Sequence, residues 1–290
     1  MKIGIIGGGF VGTATSSFVD KEDLLIYDIE PEKCYPKNLT LNELILQTDL
    51  IFICVPTPSN KDGSCCTKIV ENVVEDLKNA GCNFDEKFVV IRSTVPPGTS
   101  RRLNCYFMPE FLTEANYLKD FYNTKVWLIG TKKEPNTSNY SENHTKFIGC
   151  IVHLLIKAKM FNRINSCEYV LVSQDEAEMI KYFKNCFLAT KVAFCNEIYK
   201  YCQTSNIDYN NIIENIKLDE RIGNSHLNVP GPDGKFGFGG TCFPKDMHAL
   251  ESEFKRVGLD CPVISGAIER NEKIDRIEKD WLLDKGRTII

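Results

Sequence analysis

The sequence contains no long apolar stretch. Its longest uninterrupted hydrophobic run, Leu50–Val55, has six residues, whereas a membrane-spanning helix needs about 20. The N-terminal residues Met1–Gly7 have neither the apolar core nor the small-residue cleavage site of a signal peptide. We therefore predict a protein that does not cross a membrane and that resides in the cytosol.

An excess of charge of one sign is also missing. The chain has 35 lysine and arginine residues against 39 aspartate and glutamate residues, and its formal net charge is −4. No basic block stands out in the sequence, whereas a nucleic-acid-binding surface is usually a basic patch. The composition therefore argues against nucleic acid as the main partner.

Cysteine pairs with the spacing of a metal or redox motif are absent. The chain has 13 cysteines, but the number is odd and no two cysteines are separated by two residues, so a disulfide framework is not expected. His226 and His248 lack partners at metal-ligand spacing. We predict reduced thiols and no metal site.

The first half of the 290-residue chain alternates short β-rich segments with helical ones. This alternation is typical of a parallel sheet covered by helices on both faces. We predict an α/β fold, in which a doubly wound sheet forms an N-terminal domain over residues 1–172 and an all-helical domain follows over residues 173–283. The predicted strands are Lys2–Gly7, Leu24–Asp28, Asp49–Val55 and Phe88–Ser93.

One long helix is predicted to open the second domain. Ser173 and Glu176 have the spacing of a capping box, and apolar residues then recur near a 3.6-residue period for about seven turns. A helix of this length usually joins or braces two domains, and its apolar residues favour a homodimer interface. A loop over Asn224–Gly240 and a helix from Val263 to about Leu283 complete the predicted domain.

A glycine-rich turn follows the first predicted strand. The segment Gly7–Gly12 fits the pattern GxGxxG, and Asp28 ends the next strand. In a Rossmann-type sheet the first glycine makes a tight turn, Gly9 lets a pyrophosphate approach the backbone, and Gly12 allows close helix packing. Asp28 would accept a hydrogen bond from a ribose 2′-hydroxyl, which favours NAD over NADP. The alternative is a glycine-rich turn without a ligand.

A second glycine-rich segment contains a cysteine. Cys242 is followed by Lys245 and Asp246, and nearby cations lower the pKa of a thiol and so increase its reactivity. Most cysteines in proteins are packed thiols without chemistry. The surrounding glycines and charges favour a nucleophile at Cys242 alone.

The segment Gly239–Asp246 resembles the catalytic signature of the UDP-glucose/GDP-mannose 6-dehydrogenase family. Ordered matches extend from residue 3 to about residue 275, although Ala115 stands where the family usually has glycine. The other matching segments are Val55–Pro58, Ser93–Thr99, Pro109–Glu114, Ala177–Lys181 with Asn185, Asn196–Glu197 and Asp219–Gly223.

The resemblance implies a four-electron oxidation of the primary alcohol of a sugar nucleotide, with two NAD molecules used in succession. It implies that Cys242 carries a thiohemiacetal and then a thioester, and that Lys181 and Asn185 stabilise the oxyanion. Asp246, through a water held with Thr94, would be the base for the alcohol. UDP-glucose, oxidised to UDP-glucuronate, is the expected substrate.

The remaining site residues are also implied by the resemblance. Glu110 would position or activate the water that hydrolyses the thioester. The implied substrate contacts are Glu114, Arg221, Gly239 and Lys245. The implied cofactor contacts are Gly7, Gly9, Phe10, Val11, Gly12, Asp28, Val55, Pro56, Thr57 and Thr94.

The resemblance is to a short form of the family. Family members usually continue into a second doubly wound domain that binds the nucleotide of the substrate, and residues 284–290 resemble the start of the first strand of that domain. We therefore expect this chain to lack the part of the sugar-nucleotide pocket that the further domain supplies.

Less specific interpretations stay open for the site and for the function. Lys181 and Glu178 could solvate the polar face of a helix, and Glu110 and Glu114 could be surface charges. The chain could be a dehydrogenase of a smaller alcohol or hydroxy acid, which needs no nucleophilic cysteine. It could also be a non-catalytic remnant that binds NAD or a partner protein.

Overall fold

The computed structural model describes residues 1–132 and 142–283. Its backbone contacts divide the chain into two compact units. The first unit comprises Met1–Thr57 and Thr67–Lys181, and the second comprises Pro58–Cys66 and the chain from Tyr182 onward. The domain limits at residues 172 and 283 remain predictions. Residues 284–290, on which the start of a further domain was predicted, lie outside the described residues.

The first unit contains one sheet, which has seven strands in the described residues and the order β2-β1-β3-β4-β5-β6-β7. All neighbouring strands are parallel except β5 and β6. The predicted doubly wound α/β fold is thus confirmed, and β5, β6 and β7 are strands that the sequence did not predict. The strands are β1 (Ile3–Ile6), β2 (Leu24–Tyr27), β3 (Leu50–Ile53), β4 (Phe88–Ile91), β5 (Tyr106–Phe107), β6 (Trp127–Thr131) and β7 (Tyr169–Ser173).

Helices cover the two faces of this sheet. Successive side chains of a strand point to opposite faces, and in β1 Ile3 and Ile5 belong to one apolar core whereas Ile6 belongs to another. Phe147 packs in the first core and Leu44 in the second. The helices are α1 (Phe10–Ser16), α2 (Leu41–Gln47), α3 (Lys68–Asn79), α4 (Thr99–Arg102), α5 (Tyr117–Tyr122) and α6 (Glu142–Met160).

The long predicted helix is present as α7 (Gln174–Thr204), which begins in the first unit and continues into the second. Its capping box is confirmed: Ser173 N donates to Glu176 Oε2 at 2.7 Å, and Glu176 N donates to Ser173 Oγ at 3.3 Å. Among the described residues, no helix combines the length and apolarity that a membrane span would need. The other helices of the second unit are α8 (Tyr209–Ile216), α9 (Phe243–Arg256) and α10 (Pro262–Arg270).

The predicted helix from Val263 to Leu283 is wrong in its second half. The α-helix α10 ends at Arg270 and is followed by a π-helical turn over Asn271–Asp275 and a 3-10 turn over Asp280–Leu283. The side chain of Asn271 donates to Phe238 O and accepts from Phe238 N. The predicted loop over Asn224–Gly240 is confirmed.

Candidate active site

The glycine-rich turn between β1 and α1 has the geometry that the motif predicts. Gly7 has φ +101°, and a Cβ there would lie 2.6 Å from the carbonyl oxygen of Cys54. A Cβ on Gly12 would overlap the carbonyl oxygen of Gly7. Gly9 differs from both, because a Cβ there would meet no atom within 4 Å. Gly7 and Gly12 are therefore required by the fold, and Gly9 leaves an open surface.

Asp28 fixes this turn. Its Oδ2 accepts a hydrogen bond from Gly8 N at 2.6 Å, and its Oδ1 accepts one from Glu30 N at 2.9 Å. A carboxylate offers about four acceptor positions, so Asp28 retains the capacity to accept from a ribose hydroxyl. Together with the open surface at Gly9, this acceptor fits NAD.

The other predicted cofactor residues lie in α1 or in the loops that follow β3 and β4. Phe10 and Val11 are half-buried in α1. Val55 is half-buried, Pro56 exposed and Thr57 buried in the loop after β3, and Thr94 is half-buried in the loop after β4. Because the carboxyl ends of parallel strands meet at one edge of a sheet, these loops lie at the edge where such folds bind nucleotides.

Lys181 and Glu110 form a buried ion pair in the first unit. Lys181 Nζ donates to Glu110 Oε1 at 2.7 Å and to the carbonyl oxygen of Glu110 at 2.7 Å. The second carboxylate oxygen, Oε2, accepts from Leu112 N at 2.7 Å. The interpretation of Lys181 and Glu110 as solvated surface charges is therefore wrong. In contrast, Glu114 is exposed in a 3-10 turn.

Glu178 is also buried, so its interpretation as a solvated residue is wrong. Its Oε2 accepts from Gly98 N at 2.6 Å and its Oε1 from Ser100 N at 2.8 Å. Burial raises the pKa of Glu178 to about 7, although these hydrogen bonds oppose the shift. The side chain anchors the loop after β4, which contains Thr94, to α7.

The second unit contains a buried polar network around Asp246. Its Oδ1 accepts from Lys245 Nζ at 2.6 Å, and its Oδ2 accepts from Asn185 Nδ2 at 2.6 Å. Asp246 is only 1% exposed. Burial alone would lower the pKa of Lys245, but the Asp246 carboxylate opposes it and the net shift is upward. The side chain of Lys245 therefore keeps its positive charge although it is buried.

Cys242 lies immediately before α9, whose first turn carries Lys245 and Asp246. The residue is half-buried, and its Sγ lies 3.7 Å from the Oγ1 of Thr241. No disulfide involves any of the 13 cysteines. The thiol of Cys242 is therefore not held in a disulfide, and the residue lies within one helical turn of the charged network.

The predicted substrate residue Gly239 faces a buried arginine. A Cβ on Gly239 would overlap the guanidinium of Arg276, which is 4% exposed. Arg276 donates from Nε and Nη2 to the two carboxylate oxygens of Asp280, at 2.8 Å each, and pairs with Asp233 at 2.7 Å. The glycine is therefore required by packing within the second unit. Arg221 is 88% exposed and is paired with the neighbouring Asp219.

The structure thus groups the predicted site residues in two sets. The first unit brings Lys181 onto Glu110, and the second brings Asn185 and Lys245 onto Asp246. Lys181 and Asn185, predicted to act together, have different hydrogen-bond partners, and their joint role remains a prediction.

Sequence reasoning missed the buried charge of Arg92. It directly follows the apolar strand β4 and is 1% exposed. The sequence does show a charged residue directly after an apolar strand, but charged residues in proteins are usually exposed to solvent, so this position did not indicate a buried arginine.

Comparisons with known proteins agree with this geometry. The NAD binding domain of the UDP-glucose/GDP-mannose dehydrogenase family matches residues 32–148, and the central domain of that family matches residues 175–273. A UDP-glucose 6-dehydrogenase of Rickettsia bellii is 30% identical over an alignment that covers all of this chain and 70% of that protein. The chain belongs to the UDP-glucose/GDP-mannose dehydrogenase family.

Other relatives support the assignment. A putative UDP-glucose 6-dehydrogenase of Bacillus subtilis is 29% identical over 87% of this chain and 63% of its own length. The structure of a UDP-glucose dehydrogenase from Pyrobaculum islandicum superposes with a TM-score of 0.76 at 24% identity, covering 93% of this chain and 68% of that one; at this identity it shows the fold. The family assignment confirms NAD as the cofactor of the first unit.

Proposed function

We propose that the protein catalyses the NAD-dependent, four-electron oxidation of a sugar nucleotide at its primary alcohol, with UDP-glucose as substrate and UDP-glucuronate as product. The observation that carries the proposal is the buried network of Lys245, Asp246 and Asn185 beside the half-buried thiol of Cys242. Membership of the family and the names of the relatives support the choice of substrate.

In the first oxidation, the alcohol must lose a proton. Asp246 is the base in our proposal, acting through a water that it shares with Thr94. Its two carboxylate oxygens each accept one hydrogen bond within the protein, so each retains a lone pair for that water. NAD, when bound, accepts a hydride in each of the two oxidation steps.

In the second stage, Cys242 captures the aldehyde. Its sulfur forms a bond to the aldehyde carbon while the carbon–oxygen π bond breaks, the carbonyl oxygen develops negative charge, and the proton of the thiol is transferred to that oxygen. Lys181 and Asn185 stabilise this oxyanion with an ammonium and an amide donor. Covalent capture divides one difficult oxidation into two easier steps, because the resulting thiohemiacetal can lose a second hydride and a proton to give a thioester.

Hydrolysis then releases the product. Glu110 orients a water that attacks the thioester carbon, so that a carbon–oxygen bond forms, the carbon–sulfur bond breaks and Cys242 leaves as a thiolate. Both protons of the water are released, and the product is a carboxylate. The buried pair with Lys181 holds the Glu110 carboxylate in place for this step. We assign Glu114, Arg221, Gly239 and Lys245 to the contacts or the charge environment of the sugar nucleotide.

We further propose that the protein acts as a homodimer. In the second unit, α7 exposes a stripe of large apolar side chains: Phe183 is 65%, Phe187 59% and Phe194 63% exposed. The rings of Phe183 and Phe187 are stacked with centroids 6.2 Å apart. Exposed apolar patches of this kind mark interaction surfaces. Because the thiols form no disulfide, we also propose the reducing cytosol as the location.

The test is the absorbance of NADH after the purified chain and NAD are mixed with UDP-glucose, GDP-mannose and other sugar nucleotides. We expect two NADH per sugar consumed, with UDP-glucose as the best substrate. Cys242→Ser should abolish formation of the carboxylate, whereas Cys261→Ser, a change at another half-buried cysteine of the second unit, should leave the stoichiometry unchanged.

Two results would contradict the proposal. One NADH per substrate that survives Cys242→Ala would indicate a simple alcohol dehydrogenase. A chain that binds NAD but oxidises no sugar nucleotide would show that the substrate assignment fails for this chain.

A further inference from the structure

Arg92 is a buried cation, and two nitrogens of its side chain have no hydrogen-bond partner among the described residues. Its backbone nitrogen donates to Ile53 O at 2.8 Å, which continues the pairing of β3 and β4. Its side chain is 1% exposed, and within residues 1–132 and 142–283 neither Nε nor Nη1 has a hydrogen-bond partner. The guanidinium carbon lies 6.0 Å from the ring centres of both Phe52 and Phe121.

The two rings do not account for this burial. A cation–π contact contributes about 0.5 to 2 kcal/mol, whereas removing an ion from water costs several kcal/mol. Burial lowers the pKa of Arg92, and the nearby Glu110 and Cys54 oppose that shift. An arginine nevertheless stays protonated in proteins. The unpaired Nε and Nη1 therefore require an acceptor.

A small cavity lies where such an acceptor would be placed. It has a volume of about 10 Å³, and its lining includes Arg92, Glu110, Phe121 and Thr124. This volume is close to the minimum that holds one water molecule, which also needs two to four polar partners. Arg92 supplies donors to the cavity and Glu110 is a negatively charged group in its wall.

Glu110 has the capacity to bind such a water. Lys181 Nζ occupies one position on Oε1, and Leu112 N occupies one on Oε2. A carboxylate offers about four acceptor positions, so each oxygen can accept one more hydrogen bond. The two known partners orient the carboxylate from the side of α7 and from its own loop.

We propose that a water molecule in this cavity links Arg92 to Glu110, and that Arg92 is a positioning residue for the Glu110 carboxylate. The kinetic consequence rests on the proposed function, in which Glu110 orients the water that hydrolyses the Cys242 thioester. That hydrolysis forms a carbon–oxygen bond and breaks the carbon–sulfur bond. Loss of Arg92 therefore slows hydrolysis more than it slows the two oxidations.

The kinetic test uses Arg92→Met and Arg92→Lys in the full chain, with Arg102→Met as the control because Arg102 is an exposed arginine of the same unit. After acid quench, intact mass spectrometry measures the fraction of Cys242 that carries the acyl group. We expect Arg92→Met to accumulate the thioester and to lower kcat by about 10- to 100-fold, as for a misplaced catalytic group. KM should change little, and Arg92→Lys should recover most of the activity.

Glu110→Gln is the positive control for accumulation of the thioester. A folded Arg92→Met protein with normal hydrolysis, or one in which the first oxidation slows as much as hydrolysis, overturns the positioning role. If neither wild type nor Glu110→Gln ever forms an adduct on Cys242, the proposed function fails instead.

A second measurement is independent of the reaction and of the folding of any variant. A high-resolution crystal structure of the unaltered chain should show an ordered water within about 2.7 to 3.2 Å of a guanidinium nitrogen of Arg92 and of a Glu110 oxygen. A dry cavity, or Arg92 bonded directly to another group, overturns the proposed link.

Discussion

Lys181 and Glu110 form an ion pair in which only 4% of the lysine and 6% of the glutamate side-chain surface is exposed. Their nitrogen and oxygen atoms are 2.7 Å apart. Two ions removed from water gain little net stability by pairing, but removal of one partner leaves the other as an uncompensated buried charge. The pair is therefore more important for fixing the geometry of Glu110 than for overall stability.

Lys181→Met should strongly destabilise the protein. Because Glu110 would lose its cation, we expect the free energy of unfolding to fall by about 3 to 5 kcal/mol, measured by urea denaturation. Lys200→Met, at an exposed lysine of the same helix, should change it by less than about 0.5 kcal/mol. The double variant Lys181→Met with Glu110→Gln should recover part of the loss; a strictly additive loss would contradict the pair.

Glu178 should make stability depend on pH near neutrality. Burial raises its pKa from about 4.5 to about 7, so between these values the folded chain binds more protons at this site than the unfolded chain does. The contribution of Glu178 to the free energy of unfolding therefore falls as pH rises through this window, by up to about 3 kcal/mol.

To test this dependence, the free energy of unfolding of wild type and of Glu178→Gln is measured by denaturation from pH 4 to pH 8, and the two values are compared at each pH. The wild type should lose stability relative to the variant as pH rises, whereas Glu75→Gln, at an exposed site, should follow the wild type. Parallel profiles for wild type and Glu178→Gln would show that burial does not perturb this carboxyl.

Gly9→Ala should weaken NAD binding without unfolding the protein. The added methyl group meets no protein atom within 4 Å, but it occupies the surface along which a pyrophosphate approaches the backbone. We expect an increase in Kd of at least about tenfold, or 1.4 kcal/mol, by calorimetric titration, with an unchanged Tm.

Gly7→Ala provides the contrast at the same turn. The positive φ and the carbonyl oxygen of Cys54 leave no room for a methyl group there, so this variant should lower Tm whether or not NAD is present. Equal NAD affinity in Gly9→Ala and wild type would show that the pyrophosphate does not bind at this turn.

Gly239→Ala should destabilise the second unit. Its methyl group would displace the guanidinium of Arg276 from Asp280 and Asp233, and overpacking of this kind costs about 1 to 3 kcal/mol. Gly266→Ala is the matched control, because it lies in α10 with nothing within 4 Å of the added methyl group. It should stabilise the helix by about 0.5 to 1 kcal/mol, as thermal unfolding can show.

Patterns of local origin were predictable from the sequence. The apolar runs of β1, β3 and β4, the turn at Gly7 and the capping box at Ser173 follow from chemistry between near neighbours in the chain. Charges whose environment comes from distant segments were not predictable. Glu178 has the spacing of a solvated helix residue, and only the backbone of residues 98–100 explains why it is buried.

The same limit applies to Arg92 and to the end of α10. An arginine after an apolar strand is ordinarily exposed, and the ring of Phe121 that covers it comes from a helix 29 residues later in the chain. The α-helix α10 ends at Arg270, and the next residue, Asn271, bonds to Phe238, a partner that no periodicity within the helix could reveal.

The segment Pro58–Cys66 belongs to the second unit although residues of the first unit stand on both sides of it in the sequence. The chain therefore passes between the units at three points, after residues 57, 66 and 181. A protease that cuts at one of these points leaves two covalent connections intact. A recombination event that exchanged everything after residue 181 would separate the nine-residue segment from its unit.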